Sequence, residues 1–141
     1  MFAPSRDQAR DLFFDTWRKY RAGLPLEGLE RLVVGLLTEH PEYHELLDQP
    51  DRHKQANYEG GRVNPFLHLS LHLAVEEQLS IDQPIGVRAA CAQLEARHGS
   101  AHDAKHEVMT CLIEALRDAQ VRNGAFDTVA YLRCLTKRAG S

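Results

Sequence analysis

Residues 64–80 read NPFLHLSLHLAVEEQLS, and the fold turns on how that stretch is read. Asn64 followed by Pro65 signals a helix start: the asparagine oxygen can accept orphan amides, and proline brings a helical φ to a position whose missing N–H is not needed. With His68 at zero and 100° per residue, His72 falls near 40° and Glu76 near 80°. Leu71, Val75 and Leu79 lie at roughly 300° to 20°, and Leu69 and Leu73 at roughly 100° to 140°. A polar stripe thus sits inside an apolar arc, while Ser70, Ala74 and Glu77 mark the opposite face, expected to be solvated. Buried donors and acceptors left unsatisfied cost about 1–3 kcal/mol each. Such a helix therefore needs either a metal ion or a hydrogen-bond network to complete it.

Working outward, helix signals dominate. Ser5 is positioned to cap a helix over 5–21 that stops at Gly23, with Phe13, Trp17 and Tyr20 forming an aromatic stripe expected to anchor on the core. Pro25 is expected to open a helix over 25–39, and Pro41 a short one through EYHELLDQ. Further helices are expected over 65–79, 84–98, 101–122 and 127–138, with Ser100 and Asp127 as caps and Gly99 and Asn123–Gly124 as stops. Pro84 disfavours helical geometry at Gln83 and so ends the 65–79 helix. No period-2 strand pattern and no repeat occurs. The expectation is an all-α, single-domain helical bundle over 1–141, with about five main helices plus one short helix and a long polar loop at 48–64.

Composition narrows the function classes. The chain has 141 residues with 17 basic and 20 acidic side chains, a formal charge of −3. One domain suits that length. The charge balance lacks the basic excess that nucleic-acid binding needs. No apolar run is long enough to span a membrane, and MFAPSRDQAR has no apolar signal region, so a cytoplasmic location is expected. Cys91, Cys111 and Cys134 are odd in number and form no CxxC, and they read as reduced thiols packed as small hydrophobes.

The eight histidines are the anomaly. They stand at 40, 44, 53, 68, 72, 98, 102 and 106. Four pairs are spaced i,i+4, against roughly 0.4 expected at random. Residues four apart share a helical face, so two imidazoles so spaced can converge on one ion. His102 and His106 fall on the side of Met109, Ile113 and Leu116. His40/His44 is the weakest pair because Pro41 intervenes and His40 takes the cap position; Gly99 separates His98 from His102; His53 lies in the loop and gains no role. The ligand set read from spacing is His68, His72, Glu76, His102 and His106, with the helices that carry the two histidine pairs facing each other. Imidazole suits zinc, iron or nickel alike. If the histidines are instead satisfied structural groups, no metal is implied.

Other chemistries lack their residues. There is no P-loop, GxSxG or dinucleotide fingerprint. Cys111 stands five residues from His106 and nine from His102, spacings that point the side chains to different faces.

Two resemblances follow from these residues. HxxxE (His72, Glu76) followed by HxxxH (His102, His106) is similar to the pattern of hemerythrins and DinB-like proteins, α-bundles with ligands on facing helices. No histidine follows His106, so the last-helix ligand of a hemerythrin has no counterpart. Across nearly the whole chain, FFDTWRKYRAGLPLEGLE, HPEYHELL, NPFLHLSLHLAVEEQLSIDQP and YLRCL resemble a small proteobacterial family, the domain-of-unknown-function family numbered 1841. The resemblance implies a compact, soluble bacterial protein and brings no activity with it.

Two functions follow as expectations. One is a metal-binding helical bundle, with histidines from two facing helices around a divalent transition metal. The other is a non-enzymatic protein-interaction module in which the histidines are structural and the 48–64 loop or the aromatic first helix meets a partner. No small-molecule substrate can be named on either reading.

Overall fold

The computed structural model describes residues 6–53 and 64–140, and among these every regular element is helical. Six helices exceed ten residues: α1 (Arg6–Arg21), α2 (Gly28–Thr38), α5 (Pro65–Ile81), α6 (Val87–His98), α7 (Ala101–Val121) and α8 (Thr128–Gly140). Between α2 and α5 come a 3-10 turn (Pro41–Tyr43) and two single-turn helices, α3 (His44–Leu47) and α4 (Pro50–His53). The all-α expectation holds, but the count of five main helices plus one short does not. Six helices are long rather than five, and at 41–53 two prolines each start a turn, so that what read as one short helix and a loop is a 3-10 turn and two single-turn helices. Residues 54–63 of the expected 48–64 loop, and the expected cap Ser5, lie outside the described residues.

Most helix ends follow local chemistry. The Asn64 side chain accepts from the Phe66 and Leu67 amides at 3.0 and 3.1 Å, Ser100 Oγ from Asp103 at 3.2 Å, and Asp127 Oδ1 from Ala130 at 3.0 Å. Gly23 adopts φ 70° after α1, with the Leu24 amide donating to the Lys19 carbonyl and that of Gly23 to Tyr20, a closure that relieves the last carbonyls. Two starts come later than the prolines suggested. Helix α2 begins at Gly28, not Pro25, because the Glu30 carboxylate folds back on the Glu27 amide at 3.2 Å. Helix α6 begins at Val87, not Pro84, because Asp82 Oδ1 accepts from the Gly86 and Arg88 amides and holds 82–86 as a loop.

The contacts divide the chain between Leu73 and Ala74, within α5. In the first unit α1 packs on α2 and α3, and its core gathers Phe13, Phe14 and Trp17 with Leu37, Phe66 and Leu69. Trp17 Nε1 donates to Asp48 at 2.7 Å, and Lys19 Nζ meets Glu30 at 2.7 Å between α1 and α2. Tyr20, the last member of the aromatic stripe, is exposed. Arg10 is buried with its guanidinium 4.5 Å above the Phe66 ring centroid, a cation–π contact strengthened by exclusion of water.

In the second unit α6, α7 and α8 pack pairwise on one another around Val87, Leu94, Val108, Tyr131 and Leu135. Tyr131 donates to Gln78 Oε1 at 2.6 Å, both side chains being buried. The cysteine expectation is corrected here. Cys111 and Cys134 form a disulfide between α7 and α8, with Cα atoms 5.8 Å apart, and only Cys91 is a free thiol, buried. Their 23-residue separation gave no motif; the packing of two helices joined by a short turn brings them within bonding reach.

Tyr131→Phe is expected to destabilise the fold by about 1–3 kcal/mol in urea denaturation, since it strands the buried Gln78 carbonyl. Burial, and secondarily Cys91, pushes the Tyr131 phenol far above its ordinary range. A raised folded-state value means that the stabilisation is complete below the unfolded tyrosine value and is lost as pH rises above it. Wild type should therefore lose stability above about pH 10 more steeply than Tyr131→Phe.

Candidate metal centre

The 65–81 helix presents its histidines as its spacing required. His72 is buried, with 1% of its surface exposed, and His68 is half-buried one turn earlier. Their rings stand 4.8 Å apart, centroid to centroid. The opposite face departs from expectation: Ser70, Ala74 and Glu77 are half-buried rather than solvated, while Leu67, Ser80 and Ile81 are exposed.

What meets the pair within the first unit is His40. The sequence ranks its pairing with His44 weakest, because Pro41 intervenes and His40 takes a cap position. It does occupy that position, and the cap is what turns its side chain inward. His40 is 2% exposed, and its ring centroid lies 4.5 Å from that of His72 and 5.3 Å from that of His68. His40 Nε2 and His72 Nε2 stand 3.1 Å apart. One ring nitrogen from each of His40, His68 and His72 lies within 4.8 Å of the others. Tyr43 stacks on His40 at 5.8 Å, nearly parallel, and stands edge-on to His68 at 6.1 Å. Burial is the larger and Glu42 the lesser cause that raises the Tyr43 phenol.

The tautomer of His40 follows from its other nitrogen. His40 Nδ1 lies 2.9 Å from the Leu36 carbonyl in α2, an acceptor only, so Nδ1 carries the proton. In the neutral ring Nε2 is then a lone pair aimed at His72 Nε2. Two ring nitrogens 3.1 Å apart need either a proton or a cation between them. An N–H···N bond supplies the first. The second suits the same distance, because nitrogens around a tetrahedral zinc at ~2.0–2.1 Å are themselves ~3.3 Å apart. A ligating histidine held through Nδ1–H by a backbone carbonyl is the ordinary way a protein fixes ring orientation at a metal.

His44 does not share this geometry. Its Nε2 lies 2.7 Å from the Leu37 carbonyl and its ring packs 4.4 Å from Trp17, so it closes the turn against the aromatic core.

The remaining expected ligands belong to the second unit. Glu76 forms an ion pair with Lys105 Nζ at 2.6 Å, both side chains about four-fifths buried. His102 and His106 are half-buried neighbours on α7, their ring centroids 4.3 Å apart. His98, at the end of α6, stands 3.9 Å from Glu107, beside Arg138. A separate cavity of about 600 Å³ opens in the first unit between α1 and residues 47–51, lined by Trp17, Arg18, Arg21 and Asp48 and by none of the three clustered histidines.

The signal that could have found His40 was a carbonyl one helical turn before it, able to fix its tautomer. Its pairing with a residue 32 positions away was not legible from spacing. Chelator-treated His72→Ala should lose about 1–3 kcal/mol by removing the buried nitrogen contact to His40, with a further loss for the cavity. His98→Ala, on a partly exposed ring, should change the denaturation midpoint little.

The chain matches the family described as "Domain of unknown function (DUF1841)" over residues 5–137. No curated protein and no solved structure matches it. Among the described residues no helix is long and apolar enough to cross a membrane. With the match running over nearly its full length, this chain belongs to the DUF1841 family.

Proposed function

We propose that this protein binds one divalent transition-metal ion through His40, His68 and His72. The observation that carries the reading is the 3.1 Å approach of two buried Nε2 atoms, one with its lone pair fixed by the Leu36 carbonyl, beside a third imidazole. Rotation of the half-buried His68 side chain can close the remaining gap. An all-nitrogen, uncharged donor set favours zinc, nickel or iron over magnesium or calcium, which prefer hard oxygen ligands. Within that group the general affinity order ranks ferrous iron below nickel and zinc. Three histidines leave a tetrahedral ion one position for water or a further ligand. The spacing argument adds Glu76, His102 and His106 as candidates to supply it, and that part of the reading rests on sequence alone.

The test is elemental analysis of untagged protein, followed by calorimetric titration of the chelated protein with zinc. One equivalent should bind, and zinc at a hundredfold excess over Kd should stabilise the fold by about 2.7 kcal/mol. Single alanine variants of His40, His68 and His72 should each weaken binding strongly, while His44→Ala should not. Affinity should fall at acidic pH, because protons compete for the same nitrogens. No bound metal and no zinc-dependent shift in Tm would overturn the reading.

A second reading has its own support. The cavity between α1 and residues 47–51 uses the aromatic first helix and the start of the segment singled out for contact with a protein partner. In that interaction module His40–His72 is a structural hydrogen bond. Chelation would then leave the melting temperature unchanged, while substitutions at Arg18 and Arg21 would abolish partner binding.

A further inference from the structure

The Cys111–Cys134 disulfide is asymmetric. Cys111 is 1% exposed in the interface of α7 with α8, whereas Cys134 is half-buried. Two cavities meet at this bond. The smaller, about 180 Å³, is lined by both cysteines and rimmed by Glu114, Asp118 and Asp127. The larger, about 480 Å³, is lined by Cys134 but not Cys111, together with Arg133, Lys137, Arg138 and Glu114. Displacement at a disulfide sulfur needs a nucleophile that can reach that sulfur from the side away from the leaving one. Of the two cysteines, only the less buried Cys134 borders the larger cavity, which is the basic one.

We propose that Cys134 is a thiol-exchange site for a small anionic thiol, with Cys111 as the leaving and resolving sulfur. The incoming thiolate attacks Cys134 Sγ and forms a new S–S bond. The Cys134–Cys111 bond breaks, and its electron pair leaves on Cys111, which takes a proton from solvent. The thiol is oxidised to the mixed disulfide and Cys111 is reduced, so no other oxidant enters. The reverse attack by Cys111 expels the thiol and restores the bond.

Charge selects the reagent. Three cations against one carboxylate line the approach, which raises the local concentration of an anion. Glu114 Oε2 lies 3.6 Å from Cys134 Sγ and would repel a thiolate there, but Arg138 stands 3.7 Å from its other oxygen and offsets that charge. Arg138 also pairs with Glu107 at 3.1 Å, and Arg133 and Lys137, both exposed on α8, add their charge along the same approach. The acidic rim of the smaller cavity closes the other approach to anions.

The test uses the full chain purified without reductant. It is incubated at low salt with reduced glutathione, 2-mercaptoethanol or cysteamine at matched thiolate concentrations, then acid-quenched and mapped by peptide mass spectrometry. Glutathione, with two carboxylates, should modify Cys134 about tenfold faster than cationic cysteamine. Cys111 and the buried Cys91 should carry no adduct. High salt, or the surface variant Arg133→Gln/Lys137→Gln, should bring the rate ratio close to one. An adduct on Cys111, equal rates for the three thiols at low salt, or free Cys111 and Cys134 in the purified protein would each overturn the proposal. The salt dependence of wild type decides the matter even if the double variant fails to fold.

Discussion

The first unit is organised around a polar contact in an apolar core. His40 and His72 meet nitrogen to nitrogen at 3.1 Å among residues nearly closed to water. Taking imidazoles out of water without partners is unfavourable, so the contact constrains everything that delivers it. Leu36 must present its carbonyl to His40 Nδ1, which fixes the end of α2. Pro41 must turn the chain so that a cap residue faces inward. Helix α5 must show its His68/His72 edge rather than its Leu67 edge. Each demand is met by a short stretch of backbone, and each would be released by the loss of one ring.

The surrounding aromatic groups reinforce that geometry. Tyr43 stacks on His40, and His44 closes on Trp17 while donating to Leu37. Residues 40–44 thus form a compact turn in which one histidine serves the buried cluster and the next locks the turn to α1. The division of labour follows from hydrogen bonding. The Nε2 of His44 is engaged by a carbonyl, whereas that of His40 remains directed at another imidazole.

The second unit solves the same problem of burying polar groups by other means. Its buried phenol and amide satisfy each other through Tyr131 and Gln78, and Glu76 and Lys105 neutralise each other. A covalent bond ties α7 to α8 beside a cluster of arginine, lysine and glutamate. A disulfide narrows the unfolded ensemble, and its effect grows with the length of chain it closes.

Short-range chemistry was legible in the sequence. Asn64, Ser100 and Asp127 cap because their oxygens reach amides two or three residues ahead, and Asn123 and Gly99 stop helices because they tolerate a left-handed backbone. The inward face of His72 was likewise written in the leucines around it. Choices between competing local partners were harder to read. Glu30 and Asp82, rather than Pro25 and Pro84, decided where α2 and α6 begin, because a carboxylate that captures amides outweighs a proline that merely permits a helix. Long-range partnerships belonged to the tertiary structure alone. His40 joins His72 across 32 residues, Cys111 finds Cys134 across 23, and Lys105 pairs with Glu76. Periodicity gives the face on which a side chain stands; which residue waits opposite is settled only when the helices pack.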